Sequence, residues 1–274
     1  MPDHRDDLVG VSRRLRGVAA AAARSVGPML REAFRAPLEV SVKTGPQDLV
    51  TEHDRAAERT IVRHLLRAHP DSRVLGEEGG TQGAGRVLWL VDPIDGTTNF
   101  AHGLPHFCVS VAAVLDDDLV AGAIYDPIAE QMFTADLTGA WRDGAPLRSR
   151  GAPTADQAVI LSDYPAGRDL ARGPVAEVTF GALAREFRSV RRGGSGALAL
   201  AYTAAGWADC TFATSTNPWD IGAGALIVQQ AGGRYLAFSA DGEPVTTALH
   251  EAPNYVAFAG DADYPQVTAL VRGR

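Results

Sequence analysis

Apolar residues recur at helical spacing through the alanine-rich start of the chain. This pattern predicts one long helix over 8–34. A polar, turn-rich segment over 41–50 predicts a hairpin or a loop. Thr51 is followed three residues later by Asp54, which resembles a capping box with Asp in place of the usual Glu, so a second helix is expected over about 52–69.

Short apolar runs replace the helical pattern from residue 73 onward, and they predict strands that follow one another in a meander. The predicted strands of this part are 74–75, 87–91, 107–115, 119–125, 131–135 and 139–143. The second half alternates between strands and helices. Its predicted strands are 159–162, 189–192, 209–213, 235–238 and 255–259, and its predicted helices are 175–186, 197–205, 221–231 and 265–272.

Antiparallel strands followed by alternating units predict a layered fold of the α+β or α/β class. No proline-, glycine- or serine-rich linker marks a clear boundary along the chain. We therefore predict one unit over 1–274, with an α+β half over about 1–150 and an α/β half over about 151–274.

The composition narrows the class of partner. The formal net charge is -7, and an acidic surface argues against direct nucleic-acid binding and against an anionic membrane. The apolar run 18–23 is too short to span a bilayer. Two cysteines without a secretory signal fit a reducing compartment, so the predicted location is the cytoplasm.

The segment 87–100 leads an apolar strand directly into carboxylates. The predicted strand 87–91 delivers Asp92 and Asp95 at its carboxyl end. Two crowded carboxylates repel each other unless they are protonated or bridged by a cation, and hard oxygen ligands suit magnesium. A plain turn is the simpler interpretation of the same residues, because aspartate, proline and glycine are all common in turns.

The residues around these aspartates suggest an anion site. Pro93 is expected to stop the strand ladder, and the carbonyl oxygen of Ile94 is a further candidate metal ligand. Gly96 permits a tight turn. The backbone amides of Gly96 and Thr97 are placed to face an anion.

Three other carboxylates stand in similar contexts. Glu77 follows a short apolar strand, Asp54 lies in the first turn of a predicted helix, and Asp220 precedes a glycine-rich apolar helix. Taken singly, Glu77 reads as a solvated loop charge, Asp54 as a cap, and Asp220 as a partner of the helix dipole. Together with Asp92 and Asp95, they predict a metal site lined with oxygen ligands.

These segments resemble the inositol monophosphatase family, a set of magnesium-dependent, lithium-sensitive sugar and cyclitol phosphatases. One family signature matches 89–100, and a second matches 219–233 with Gly222 where the family usually has Ala or Cys. The resemblance runs from about Lys43 to Gly233. It implies an αβαβα sandwich of alternating helix and sheet layers, and a homodimer.

The resemblance also implies a ligand set for two or three magnesium ions. Glu77, Asp92 and the Ile94 carbonyl would hold the first ion. Asp92, Asp95 and Asp220 would hold the second, and a third, weaker ion is implied near Glu77. Metal pairs of this kind clamp the attacking and leaving oxygens of an in-line displacement.

The catalytic roles follow from the same resemblance. Thr97 paired with Asp54 would accept the proton of an activated water, and Glu77 would help to place that water. The amides of Gly96 and Thr97 would hold the phosphate. Lys43 falls in the family's mobile loop, where it would approach a metal or the phosphate, although a solvated loop lysine is an equal alternative.

The leaving-group side is less well defined by the sequence. Gly194 and Ser195 fall where inositol enzymes carry Gly-Thr, which implies contact with the substrate. Ala213 falls where many of them carry a glutamate that binds a ring hydroxyl, and an alanine cannot make that bond. The hypothesis is a small phosphate monoester substrate of the cyclitol or sugar type, of which inositol 1-phosphate is not the sole member.

Alternatives remain open. Within the superfamily, a histidinol-phosphate, fructose 1,6-bisphosphate or nucleotide 3'-phosphatase would use the same acids. A regulatory protein-binding module in a transcription complex is an alternative of another class. A plain metal-stabilised structural domain is a third, and it leaves the pairing of Thr97 with Asp54 unexplained.

Overall fold

A computed structural model describes residues 4–36, 40–42, 49–171 and 173–273, so Lys43 lies outside the described residues. The helices are α1 (His4–Ser25), α2 (Gly27–Ala33), α3 (Glu52–Ala68), α4 (Thr97–Ala101), α5 (Gly167–Leu170), α6 (Val175–Glu186), α7 (Gly196–Ala204), α8 (Pro218–Gln230) and α9 (Pro265–Arg272). The strands are β1 (Val40–Val42), β2 (Leu49–Thr51), β3 (Ser72–Gly76), β4 (Gly80–Gly83), β5 (Val87–Asp95), β6 (Cys108–Leu115), β7 (Asp118–Asp126), β8 (Gln131–Asp136), β9 (Gly139–Arg142), β10 (Ala145–Pro146), β11 (Val159–Leu161), β12 (Ser189–Arg191), β13 (Cys210–Thr214), β14 (Arg234–Phe238), β15 (Pro244–Val245) and β16 (Asn254–Phe258).

The described strands form two large sheets and one small hairpin. The larger sheet has the order β10-β9-β8-β7-β6-β5-β3-β4, and among its described strands only β3 and β5 pair parallel. The second sheet has the order β12-β11-β13-β16-β14-β15, in which β12, β11 and β13 run parallel. β1 and β2 pair antiparallel, which agrees with the hairpin, one of the two alternatives predicted over 41–50.

The fold has five layers, which are packed together by three apolar cores. The first core, which contains Trp89 and Ile61, lies between helices α1 to α3 and one face of the larger sheet. The second core, which contains Leu90 and Leu226, lies between the other face of that sheet, helices α7 and α8, and the smaller sheet. The third core, which contains Phe258, joins the smaller sheet to α6 and α9. The predicted layered α+β fold, in the order αβαβα, is confirmed.

Close packing in the middle layer sets the position of α8. A Cβ atom added at Gly222 would lie 2.8 Å from Leu90 Cδ1, and one added at Gly224 would lie 2.5 Å from Leu200. Glycine at these positions therefore lets α8 approach β5 and α7 closely. This approach brings the start of α8 to the end of β5, where the sequence places its aspartates.

Most predicted elements match, and two predictions were wrong. The expected single helix over 8–34 is two helices that meet at Val26, because Pro28 in the first turn of α2 has no N–H to continue the ladder. Pro93 does not end its strand. Pairing of β5 with β6 resumes at Asp95 after a one-residue bulge that follows Asp92. Among the described helices, none has both the length and the apolar character needed to cross a membrane.

Candidate functional site

Parallel pairing of β3 with β5 brings two acidic segments together. Gly76 pairs with Val91 at the ends of the two strands. The N–H of Glu77 then donates to the carbonyl of Val91 at 3.1 Å. Glu77 is therefore held directly beside Asp92, which is the next residue of β5.

Asp92 is buried at the centre of this edge. One of its carboxylate oxygens, Oδ1, accepts the N–H of Ile94 at 3.0 Å, which fixes the backbone after the aspartate. Burial raises the pKa of Asp92 well above its usual range, and repulsion by neighbouring carboxylates adds to the rise. These neighbours are Glu77, Asp95, Asp220 and Asp54, and with Asp92 they form what we call the carboxylate cluster.

Asp95 connects β5 to the start of α7. Its carboxylate accepts the hydroxyl of Ser195 at 2.5 Å and the N–H groups of Ala197 at 2.7 Å and Gly196 at 3.3 Å. Burial raises the pKa of Asp95, and these hydrogen bonds oppose the rise. Asp95 therefore satisfies backbone donors at a helix N-terminus that have no partner within the helix.

Asp220 lies in the first turn of α8. Its Oδ2 atom accepts the N–H of Asn217 at 2.8 Å. Burial raises the pKa of Asp220 to about 7, against the effect of this hydrogen bond, and the charges of Asp95 and Glu77 add to the rise. The carboxylate is thus fixed by the helix start while it remains inside the field of the cluster.

The structure brings the predicted pair Thr97 and Asp54 into contact. The Thr97 hydroxyl lies 2.9 Å from Asp54 Oδ1 and 3.0 Å from the Ile94 carbonyl, and it can donate its single hydrogen to either. Asp54 also accepts the N–H of Thr51 at 2.7 Å and its hydroxyl at 2.6 Å, which completes the capping box of α3. Burial raises the pKa of Asp54 above its usual value.

Gly96 makes the turn between β5 and α4. Its φ of 99° is left-handed, a conformation that favours glycine. A Cβ atom there would lie 3.0 Å from the carbonyl oxygen of Gly194 and 3.1 Å from that of His106. The side-chain amide of Asn99 holds the same turn by donating to His106 O at 2.6 Å and to Gly193 O at 2.8 Å. The turn before α7 thus packs against the predicted phosphate-binding loop.

The predicted substrate-contacting residues occupy different environments. Gly194 is exposed beside Gly96, whereas Ser195 is buried and uses its hydroxyl to hold Asp95. Ala213 is half-buried in β13, opposite Tyr255 of β16. Their contacts with a substrate stay predictions.

The sequence reasoning missed two polar residues at this site, Asn99 and Asp163. Asn99 joins the two turns described above, and Asp163 accepts the N–H of Gly194 at 2.9 Å. A signal for Asp163 existed in the sequence, because it follows an apolar strand just as Asp92 does. Nothing local distinguishes Asn99 from an ordinary helix residue.

The carboxylate cluster is chemically suited to bind magnesium, but its side chains are not close enough together to do so in their present positions. All five side chains of the cluster offer oxygen ligands, and Asp92 Oδ2 and Asp220 Oδ1 accept no hydrogen bond from the described residues. Across the described part of the chain, however, no three acidic, histidine or cysteine side chains converge closely enough to hold an ion as they stand. Like charges in this cluster repel each other, and a bound divalent cation would relieve that repulsion.

Comparison with known proteins gives a consistent result. The model of the inositol monophosphatase family matches residues 12–268. The "Inositol-1-monophosphatase" of Rhizobium meliloti is 39% identical over 76% of this chain and 79% of its own. The "Nus factor SuhB" of Pseudomonas aeruginosa is 38% identical over 82% of this chain and 86% of its own.

Solved structures show the same similarity over nearly the whole chain. The extragenic suppressor protein SuhB from Bartonella henselae has a TM-score of 0.80 at 31% identity, covering 93% of this chain and 96% of that one. The IMPase of Thermotoga maritima has a TM-score of 0.77 at 32% identity, covering 92% of each chain.

Proposed function

Because the chain belongs to the inositol monophosphatase family, we propose that it is a magnesium-dependent phosphatase that hydrolyses a small phosphate monoester. The observation that supports this most is the carboxylate cluster, in which the burial of Asp92 beside four further acids raises its pKa. An acidic pocket of this kind repels a phosphate dianion unless cations reverse the local field.

The proposed ligands are those suggested by the family resemblance. Glu77, Asp92 and the Ile94 carbonyl would hold one ion, and Asp92, Asp95 and Asp220 would hold the next. Two or three bound magnesium ions would neutralise the phosphate and make a water molecule more acidic. The backbone N–H of Ile94 and the start of α8 keep the aspartates oriented for this role.

The proton path runs through Thr97. When the single hydroxyl hydrogen is donated to Asp54 Oδ1, 2.9 Å away, the lone pairs of the threonine oxygen are free to accept a proton from the attacking water. As that proton arrives, the hydroxyl proton moves onto Asp54. Burial raises the pKa of Asp54, so its carboxylate is a better proton acceptor than a solvated aspartate. The amides of Gly96 and Thr97 hold the phosphate oxygens.

Phosphate release by Asp92→Asn tests the proposal. We expect the wild-type chain to release phosphate from a monoester with magnesium, and to lose this activity with EDTA or lithium. Asp92→Asn should lower kcat at least about 100-fold with an unchanged circular dichroism spectrum, since the interactions lost are worth several kcal/mol. Asp241→Asn, at an exposed loop position, is the matched control. Undiminished turnover by Asp92→Asn would refute the metal scheme.

The proposed substrate is a cyclitol or sugar phosphate of the inositol 1-phosphate type. Relatives named as inositol monophosphatases support this class. Histidinol phosphate, fructose 1,6-bisphosphate and a nucleoside 3'-phosphate remain alternatives, because the same cluster would serve each of them. Values of kcat/KM across these esters would rank them.

A regulatory role in a transcription complex is the second candidate. Several relatives carry the name Nus factor SuhB, and this observation favours the role. Co-purification of transcription factors with the tagged chain tests it. Asp92→Asn is a useful comparison, because a binding role independent of catalysis would survive that substitution.

We also propose that residues 1–274 act as one unit, as a homodimer in the cytoplasm. The packing of α7 and α8 between both sheets supports a single unit. The dimer is proposed from the family alone. Sedimentation equilibrium of the purified chain would give a mass of twice 28.9 kDa if it is correct.

A further inference from the structure

Three parallel strands end at the same edge of the smaller sheet, next to the carboxylate cluster. β11 lies between β12 and β13, with Leu161 level with Arg191 on one side and with Thr211 on the other. The Ser162 hydroxyl donates to the carbonyl of Phe212 at 2.7 Å, so the alignment continues past the last paired residue. In open sheets of this type, ligands bind at the carboxyl ends of parallel strands.

Asp163 is the acid that β11 delivers to this edge. Counting on from the paired residues, it lies level with Ala213 of β13, which offers only a methyl group. Asp163 Oδ1 accepts the N–H of Gly194 at 2.9 Å, so the side chain is tied to the turn that packs against Gly96. The residue is only half-buried.

The second carboxylate oxygen of Asp163 accepts no hydrogen bond from any residue that the structure describes. The acid is nevertheless close enough to the cluster to matter electrostatically. The pKa of Asp95 is raised first by burial, and the charge of Asp163 adds to that rise. Asp163 therefore combines a fixed position, an accessible acceptor and proximity to the proposed phosphate site.

We propose that Asp163 binds the leaving group of the substrate and selects alcohols that carry a hydrogen-bond donor. This inference rests on the proposed phosphatase function. The free oxygen accepts a hydroxyl of a polyol or an ammonium group, and both satisfy the same acceptor. A second phosphate near this carboxylate is repelled, which disfavours bisphosphates. A site built to accept a donor discriminates against esters that lack one.

Two substitutions test the inference with three esters. Inositol 1-phosphate supplies hydroxyls, histidinol phosphate supplies an ammonium group, and phenyl phosphate supplies no donor. For Asp163→Ala, the ratio of kcat/KM for the better donor-bearing ester to that for phenyl phosphate should fall roughly 10- to 100-fold, as expected for the loss of a charged hydrogen bond. Asp156→Ala, an exposed acid before the opposite end of β11, should keep the wild-type ratio.

Asp163→Asn separates the two donors and guards against a folding defect. Its amide oxygen can still accept the N–H of Gly194, while an NH2 group replaces the free oxygen. A hydroxyl can accept a hydrogen bond from this NH2 group, whereas an ammonium group cannot. The ratio should therefore fall several-fold for a hydroxyl ligand and as far as in Asp163→Ala for an ammonium ligand.

The outcomes are distinct. If the wild-type chain releases phosphate from none of the three esters, nor from fructose 1,6-bisphosphate or a nucleoside 3'-phosphate, the proposed function fails and this inference falls with it. If the wild-type chain is active and both Asp163 variants keep its ratios, the inference alone is overturned. A fall in kcat/KM that is confined to the donor-bearing esters in both folded variants supports the inference.

Discussion

Asp220→Asn removes one charge from the carboxylate cluster while it keeps the shape of the side chain. An asparagine oxygen can still accept the N–H of Asn217, which the aspartate accepts at 2.8 Å, so the start of α8 retains its hydrogen bond. The substitution therefore isolates the electrostatic effect of holding an ionised acid beside Asp95 and Glu77. Its consequence depends on pH.

The direction in which stability changes with pH follows from the raised pKa of Asp220, which is about 7 against 3.8 for an unperturbed aspartate. A group whose pKa is higher in the folded state than in the unfolded state stabilises the fold at low pH. This contribution is lost as the pH rises through the folded-state pKa. Between pH 5 and pH 8 the wild-type chain should lose about 1 to 2 kcal/mol relative to the variant. The roughly two pH units between 5 and the folded pKa give an upper limit at about 1.4 kcal/mol per unit, and partial exposure of the carboxylate reduces it.

Urea unfolding in EDTA at pH 5 and at pH 8 measures this difference. We expect the advantage of Asp220→Asn over wild type to grow with pH, and Asp241→Asn, at an exposed position away from the cluster, to show no such growth. Added magnesium at pH 8 should raise the unfolding free energy of wild type more than that of Asp220→Asn, since a ligand stabilises the state that binds it. An equal stability difference at both pH values would refute the electrostatic reasoning.

Two contacts give further predictions. Gly222→Ala should lower the free energy of unfolding by about 1 to 2 kcal/mol, because overpacking against Leu90 at 2.8 Å exceeds the gain in helix propensity. Leu90→Val in the same chain should recover part of that loss in urea unfolding. Thr97→Val should lower kcat by about 100-fold or more. Thr97→Ser keeps a hydroxyl that can donate to Asp54, so it should retain most of the activity. Equal losses in both Thr97 variants, measured by phosphate release, would contradict the proton path.

Local chemistry explains which parts of the fold could be predicted. The capping box of Thr51 and Asp54 involves residues three apart, and it located α3 to within one residue. Helices α6 and α9 were predicted at the bounds that the structure has, because their apolar periodicity and flanking residues suffice. The layered arrangement followed from the order of these elements.

Non-local contacts explain what could not be predicted. The continuation of β5 beyond Pro93 depends on pairing with β6 around a bulge, and the partner strand decides where pairing resumes. The bonds from the start of α7 to Asp95 join residues about 100 positions apart in the chain. Asp163 gained a candidate role only when β11 proved to lie between β12 and β13.

The carboxylate cluster can form because three of its acids also serve helix starts. Asp54 caps α3, Asp95 accepts the first N–H groups of α7, and Asp220 accepts the N–H of Asn217 before α8. Each helix start supplies unpaired donors and a positive dipole end, which together favour a nearby negative charge by about 1 kcal/mol or more. The backbone thus fixes the proposed phosphate end of the site before any cation binds. Asp163 is tied instead to a single turn amide, so the alcohol end can vary without disturbing the helices that hold the acids.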